Sequence, residues 1–313
     1  SAGYVAGSMF VLSISSWYLL RKQDVDFAKK SFRIAAAFGM ASILSVLVLG
    51  DESGYNIGRA QPTKLAAIEG IWETEPAPAP LNLFAIPNEK EQKNSYVVHI
   101  PYLGGLIDTR SLDTPILGVK ELVAQNRVRV DSGRHAVEAL ETLRKDNTDA
   151  QAQAVFRQHQ EDLGYGLLLK KYTDNVSQAT PEMLDKAAAD SMPTVWPLFF
   201  TFRIMVGCGV LMLLVFTWSF WSSIKGTFMH KPWLLRAAVC ALPLPWIAIE
   251  SGWFMAEYGR QPWTVYGVLP THLSASSLSV GSLIGSLSGF IAFYTVLLII
   301  EVYLMQKYIR IGP

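Results

Sequence analysis

Long apolar runs without any charge occupy both ends of the chain. Residues 1–20, 34–50 and 204–224 contain no charged side chain. A helix needs ~20 mostly apolar residues to cross a bilayer core of ~30 Å. The pattern predicts five spanning helices, at residues 1–20, 31–50, 197–222, 233–256 and 279–305. We therefore expect an all-α integral membrane protein.

The stretch between the second and third predicted spans, residues 51–193, has a mixed polar pattern. It is longer than the loops that usually connect two helices, so we expect a partly ordered lobe. The alternative is a mobile loop without a catalytic or binding role. Its segments of helical character are 62–73, 114–147 and 149–171, and the proline-punctuated segment 75–87 is expected to be extended.

The chain is therefore predicted to consist of three parts. Residues 1–50 form two spanning helices, residues 51–193 form a large lobe, and residues 194–313 form three further spanning helices.

Composition and charge support this division. Half of the residues are hydrophobic and only 17% are charged, against ~25% in soluble domains, which argues against a soluble enzyme or a nucleic-acid-binding protein. Residues 51–193 hold 21 of the 26 acidic groups but 15 of the 27 basic groups. The basic loops at 21–30 and 223–236 fall on the opposite side of the membrane from that lobe. The positive-inside rule then places the lobe outside.

Ser1 already lies in an apolar run, without the basic start of a signal peptide. We expect that residue 1 is not the natural start and that further helices precede it.

Ionisable groups at membrane depth are costly and are therefore functional candidates. Glu250, Trp253 and Glu257 share one helix face at spacings i, i+3 and i+7, and Arg260 follows one turn later. Such a stripe suits a proton path or a cofactor pocket. A polar network between helices is the simpler alternative.

Arg203 and Met205 stand together at the start of another apolar run. A guanidinium suits an anionic group such as a haem propionate, and a thioether can bind haem iron. On spacing alone, packing is the better explanation of a single Met, and spacing does not identify Met205 as a ligand.

Four charged residues follow the second predicted span. On a helix, Lys64 and Glu69 would lie ~140° apart and would flank a site. A carboxylate and an ammonium could accept a quinol proton and hold its oxygen. Asp51 and Glu52, where the helix ends, are similar candidates. Charged surface residues are more often simply solvated.

Several segments together resemble subunit I of the bacterial cytochrome bd quinol oxidases, and the resemblance runs from residue 1 to 313. The segments that carry it are VLGDESGY (48–55), TKLAAIEG (63–70), DLGYGLLLKKY (162–172), FRIMVG (202–207), PLPWIAIESGWFMAEYGRQPW (243–263) and the terminal YIRIGP. The long lobe resembles the long Q-loop variant, which is found with ubiquinol-using enzymes.

The resemblance implies haem roles for five residues. Met205 would be an axial ligand of the low-spin haem b558, with Arg203 beside that haem. Glu257 would bind the iron of the high-spin haem b595, and Arg260 would hold haem propionates. Trp253 would lie on the electron route between haems.

The resemblance also implies a quinol site at Lys64 and Glu69, with Asp51 and Glu52 at its edge. The expected activity is oxidation of ubiquinol at the periplasmic side and reduction of O2 to water, through haem b and haem d, without proton pumping. The His ligands of the low-spin haem and the ligand of haem d would lie outside this chain.

The expected partners are cytochrome bd subunit II, a small accessory subunit, the preceding helices of subunit I and membrane lipid, in a bacterial inner membrane. No nucleic acid is expected. Two other interpretations remain at this stage. An ion-coupled transporter would use Glu250 and Glu257 as a proton path, and a non-catalytic haem scaffold would resemble subunit II.

Overall fold

The computed structural model describes residues 2–311 and is mainly helical. The helices in chain order are α1 (Ala2–Arg21), α2 (Val25–Ala60), α3 (Pro62–Glu69), α4 (Val119–Lys145), α5 (Ala150–His159), α6 (Leu163–Leu167), α7 (Pro181–Asp190), α8 (Val195–Ile224), α9 (Pro232–Cys240), α10 (Leu244–Tyr258) and α11 (Val280–Ile311). The strands are β1 (Leu81–Asn88), β2 (Lys93–Ile100), β3 (Trp263–Val265) and β4 (Leu269–Pro270). One unit ends at Leu273, and a second begins at Ser274 and holds α11.

The predicted class is confirmed. Among the described residues, five helical segments are long and apolar enough to cross a membrane: α1, α2, a segment ending in α8, the pair α9 and α10, and α11. The strands form two short antiparallel hairpins, β1 with β2 and β3 with β4.

The predicted bounds of the second spanning helix, 31–50, are wrong at both ends. α2 begins at Val25 and ends at Ala60, so it is about 54 Å long at ~1.5 Å per residue, which exceeds the bilayer core. Its first turns are amphipathic, because Ala28 and Phe32 are buried while Asp26 is exposed. Such a helix can continue through charged residues outside the lipid.

The predicted helix 233–256 is divided into α9 and α10. The break lies at residues 241–243, which include Pro243, and Pro245 follows in the first turn of α10. Proline lacks the backbone N–H of a helical hydrogen bond and disfavours the helical conformation of the residue before it.

A first apolar core joins α1, α2, α8 and α9. Phe32 stacks on Phe228 with ring centroids 4.7 Å apart, and both side chains are buried. Gly39 of α2 faces Phe216 of α8 so closely that a Cβ at residue 39 would lie 2.1 Å from the ring. The absence of a side chain at this position therefore sets how closely the two helices pack.

A lobe lies between α2 and α8; we call residues 61–194 the interhelical lobe. The predicted helix 114–147 is present as α4, with shorter ends. The predicted segment 149–171 is helical but not continuous, since α5 is followed by α6 between short 3-10 turns. The cause is close packing: a Cβ on Gly166 would lie 2.1 Å from the carbonyl oxygen of Gly133 in α4.

A second apolar core fills the lobe and includes a residue from beyond α10. Trp263 is 1% exposed and lies 5.0 Å, between ring centroids, from Tyr165. The segment after α10 therefore packs on the interhelical lobe. This agrees with the predicted alternation, in which both lie on the same side of the membrane.

The hairpin of β1 and β2 was not predicted beyond an extended segment at 75–87. Leu81 pairs with Ile100, and Asn88 pairs with Lys93 at the closed end. The polar turn between two β-forming runs is the sequence signal that indicates it.

A third apolar core is the junction of α3, α4, α8 and α10. Its buried members include Ala67 of α3, Leu122 of α4, Leu198 of α8 and Met255 of α10. The start of the lobe is thereby fixed against two of the spanning helices.

Candidate functional site

α3 carries two of the predicted site residues and is buried on all sides. Residues 63–69 are each buried, although the helix has only 8 residues. It ends at Gly70, whose φ of 65° is the left-handed conformation that glycine adopts without strain. A helix this short is held by its neighbours rather than by its own propensity.

Lys64 reaches from α3 to the end of α10. Its side chain is buried, with the residue 6% exposed, and its Nζ donates a hydrogen bond of 3.2 Å to the carbonyl of Ala256. Gly259 gives it room, because a Cβ there would lie 2.9 Å from Lys64 Cε. Burial lowers the pKa of Lys64. The charge of Glu257 opposes this lowering, whereas the charge of Arg260 lowers the pKa further.

Glu69, at the other end of α3, faces α8 instead. Its carboxylate pairs with Arg203 at 3.3 Å, and the residue is 3% exposed. Burial raises the pKa of Glu69, and the charge and hydrogen bond of Arg203 hold that rise back. Lys64 thus contacts α10, whereas Glu69 contacts α8.

Arg203 connects α3, α8 and β1. Its guanidinium donates to the carbonyls of Ile68 at 2.8 Å and Phe199 at 3.0 Å, and also to the carbonyl of Asn82. The same group lies 3.3 Å from the centroid of the Phe199 ring. Five donors in a planar fork make arginine suited to such a junction.

The hairpin clamps the end of α3, an arrangement that the sequence did not reveal. Asn82 Nδ2 donates to the carbonyl of Glu69 at 3.1 Å, and Asn94 Nδ2 donates to the carbonyl of Gly70 at 2.7 Å. Asn94 Oδ1 accepts from the indole of Trp72 at 2.8 Å. These bonds satisfy carbonyls that the helix end leaves free.

Asp51 and Glu52 lie within α2 rather than in a loop, and both are exposed. Arg110, which follows a π-helical turn at Gly105–Thr109, pairs with Glu52 at 2.5 Å and with Asp51 at 3.3 Å. These two carboxylates therefore tie that turn to α2.

Met205 lies in α8 and faces α10. A Cβ on Gly252 would lie 3.0 Å from Met205 Sδ. Met205 also packs on the third apolar core. The thioether therefore sits in a space that depends on the absence of a side chain at residue 252.

The side chains of the predicted stripe on α10 are exposed or half-exposed. Glu250 is exposed, Trp253 is 63% exposed, and the Glu257 side chain is 45% exposed. Arg260, just past the helix, donates to Glu257, while its Nε is buried without a hydrogen-bond partner. Within residues 2–311, no group of three or more His, Cys, Asp or Glu side chains could hold a metal ion.

Sequence comparison shows what this chain is similar to. The family model described as cytochrome bd terminal oxidase subunit I matches residues 1–313. The chain is 45% identical over 312 residues to cytochrome bd-II ubiquinol oxidase subunit 1 of Escherichia coli (strain K12), covering 100% of this chain and 61% of the relative. It is 28% identical over 307 residues to cytochrome bd ubiquinol oxidase subunit 1 of Bacillus subtilis (strain 168), covering 98% and 54%.

Comparison with solved structures agrees with the sequence comparison. The structure of bd oxidase from Geobacillus thermodenitrificans matches with a TM-score of 0.65 at 22% identity, covering 100% of this chain and 56% of that one. This likeness shows the fold. The chain thus spans little more than half the length of the proteins it matches. The relatives and the five apolar helices both support a location in a bacterial membrane.

Proposed function

Because the chain belongs to the cytochrome bd terminal oxidase subunit I family, we propose that it works in a respiratory quinol:O2 oxidoreductase. The proposed substrate class is ubiquinol, because the E. coli relative is a ubiquinol oxidase subunit by name. Quinol would be oxidised beside the interhelical lobe, and O2 would be reduced to water.

The observation that carries this proposal is the position of α3. Two of the four residues predicted for the quinol site contact the two helices that carry the predicted haem residues. Lys64 bonds to α10 at Ala256, and Glu69 pairs with Arg203 of α8. A substrate bound beside α3 would therefore lie close to both helices.

Lys64 and Glu69 would act on the quinol from different sides. A carboxylate can accept a hydroxyl proton, and an ammonium can hold the quinol oxygen as negative charge develops. Their burial strengthens such interactions, because the local dielectric is low. Asp51 and Glu52, held by Arg110, would stay at the edge of the site.

The residues present fit a haem. Met205 offers a thioether beside the space left by Gly252, and Arg260 has a buried Nε without a partner. Glu257 offers a half-exposed carboxylate. Single axial ligands and propionate-binding guanidinium groups are what a haem requires, and no cluster of ligands is needed.

In the proposed assignment, Met205 would ligate the low-spin haem b558, with Arg203 beside it, and Glu257 would ligate the high-spin haem b595. Arg260 would hold propionates, and Trp253 would lie on the electron route. When bound, haem b558, haem b595 and haem d would supply electron transfer and oxygen reduction. This chain's residues would hold, orient and charge-compensate those groups.

The lobe would face the periplasm of a bacterial inner membrane, so that quinol protons leave outside. With protons for water formation taken from the cytoplasm, charge would be separated without a pump, at ~2.3 kcal/mol per charge and 100 mV. Subunit II, a small accessory subunit and membrane lipid would complete the assembly. Partners are expected because Trp253 and Glu250 of α10 are exposed in this chain.

A visible spectrum of the purified complex tests the proposal. The reduced-minus-oxidised spectrum should show a low-spin b signal and a haem d band that shifts with carbon monoxide, and ubiquinol-1 should drive O2 consumption. A featureless spectrum from haem-replete cells would contradict the proposal. It would return Glu250 and Glu257 to the transporter interpretation.

A further inference from the structure

An open cleft of about 330 Å³ lies where α2, α3 and the π-helical turn meet. Its wall includes Tyr55 and Arg59 of α2, Leu65 of α3, and Asp108 of the turn. Ligand sites are commonly clefts of ~300–1,000 Å³ with mainly apolar walls and a few convergent polar groups. The cleft is thus large enough for the ring of a quinol.

Asp108 is an unusual member of that wall. The residue is 8% exposed, and its Oδ2 is buried without a hydrogen-bond partner. An unsatisfied buried acceptor costs ~1–3 kcal/mol, so such a group calls for an explanation. A ligand hydroxyl that contacts the Asp108 carboxyl would satisfy it.

Glu69 and Asp108 differ in their partners. Glu69 is held in an ion pair by Arg203, whereas Asp108 is part of the cleft wall. Asp108 belongs to the π-helical turn, which is fixed to α2 because Arg110 pairs with Glu52 and lies 4.4 Å from the Tyr55 ring centroid. The turn that carries Asp108 is therefore fixed to α2, while Asp108 Oδ2 has no hydrogen-bond partner.

The charges around Asp108 suit proton transfer. Burial raises the pKa of Asp108 to about 8; the charges of Glu69 and Asp51 add to the rise, and Arg203 opposes it. Arg59 also lines the cleft. A general base works best with a pKa near the operating pH, where it can both accept and release a proton.

We propose that the cleft binds the quinol headgroup and that Asp108 accepts a hydroxyl proton from it. One quinol O–H bond breaks, an O–H bond forms at the Asp108 carboxylate, and the electron pair stays on the quinol oxygen; the second hydroxyl proton passes to Glu69, whose charge interacts with that of Asp108. The two electrons of the quinol leave to haem iron, as the proposed function requires. Asp108 then releases its proton to water at the mouth of the cleft. This inference rests on the proposed function and adds a second residue that accepts a quinol proton.

The test uses the whole oxidase complex in membranes, with ubiquinol-1 as substrate. Asp108→Asn keeps the shape of the side chain but cannot accept the proton, so kcat should fall about 100-fold while haem content and dithionite reduction stay normal. The wild-type kcat should rise as pH increases through about 8, and Asp108→Asn should lose that rise. The matched control Asp113→Asn changes an exposed carboxylate five positions further along and should behave as wild type.

The outcomes separate the two proposals. A wild-type complex that oxidises no ubiquinol-1 contradicts the proposed function. Quinol oxidation by Asp108→Asn within twofold of wild type, with the pH profile kept, overturns this inference alone. If Asp108→Asn loses haem, the variant Thr114→Trp tests the inference instead. Thr114 is an exposed residue of the cleft wall, so a tryptophan there should narrow the cleft and raise the KM for ubiquinol-1 about tenfold. An unchanged KM overturns the inference.

Discussion

Two charged regions of the molecule meet at α10, and they differ in what covers them. At the α3 junction, Lys64 and Glu69 are 6% and 3% exposed, and each has a partner within the chain. On α10, Trp253 is 63% exposed and the Glu257 side chain is 45% exposed. The chain thus completes the first region by itself, whereas the second presents its groups outward.

This difference indicates two kinds of role. A buried charge without its partner is strongly destabilising, so the α3 junction should respond to substitution through stability as well as activity. An exposed stripe on a spanning helix contributes little to this chain's own packing. Substitutions there should change the binding of cofactors or partner subunits and leave the fold of the lobe intact.

The largest effect is expected from Arg203→Ala. This change leaves Glu69 buried without its ion pair and removes donors from the carbonyls of Ile68 and Phe199. Breaking one side of a buried pair costs ~3–5 kcal/mol. Thermal melting of the purified complex measures it.

Arg203→Lys is the matched comparison, because it keeps the charge but loses the planar fork. It should melt between wild type and Arg203→Ala. A melting temperature of Arg203→Ala equal to that of wild type would show that the junction is not the closed network described above.

Met205→Leu should remove nearly all of the low-spin haem b signal and leave the other haems partly populated. Leucine has similar volume but no sulfur ligand. Met255→Leu is the control, since Met255 is a buried neighbour in α10 with no proposed ligand role. An intact low-spin spectrum in Met205→Leu would remove this residue from the proposed ligands.

A smaller effect is expected from Asn94→Ala, which releases the clamp on α3. The carbonyl of Gly70 and the indole of Trp72 lose their partner, at a cost of ~1–3 kcal/mol. We expect a lower melting temperature and a raised KM for ubiquinol-1. Lys93→Ala, at the exposed neighbouring position, should change neither, and equal behaviour of the two variants would argue against the clamp.

The smallest effect is expected from the charge of Asp108 on stability. Its ordinary pKa is 3.8 and its folded pKa is about 8, so between these values the unfolded chain binds fewer protons and stability falls as pH rises. Asp108→Asn cannot ionise. It should melt above wild type at about pH 8 and close to wild type at about pH 4. The reverse order at high pH would contradict the raised pKa.

Apolar runs indicated the five spanning helices from the sequence, because length and hydrophobicity suffice for that class. Details that depend on tertiary contacts were missed. α2 continues to Ala60 through charged turns, and α6 is separated because Gly166 packs on Gly133.

The residues of the candidate site could likewise be predicted only in part from the sequence. Family resemblance led to Lys64, Glu69, Met205 and Glu257, but it gave no reason to single out Asp108. Its burial arises where three segments distant in sequence meet, and no local pattern encodes that. The clamp from Asn94 likewise exists only once the hairpin has folded onto α3.

The most direct test of the central claim is the rate of haem reduction when ubiquinol-1 is mixed with the oxygen-free complex. Lys64→Ala and Glu69→Gln should slow this reduction at least about tenfold, while dithionite still reduces all haems in both variants. That result would establish α3 as the link between quinol and the haem-carrying helices. Reduction by ubiquinol-1 at the wild-type rate in both variants would contradict the account.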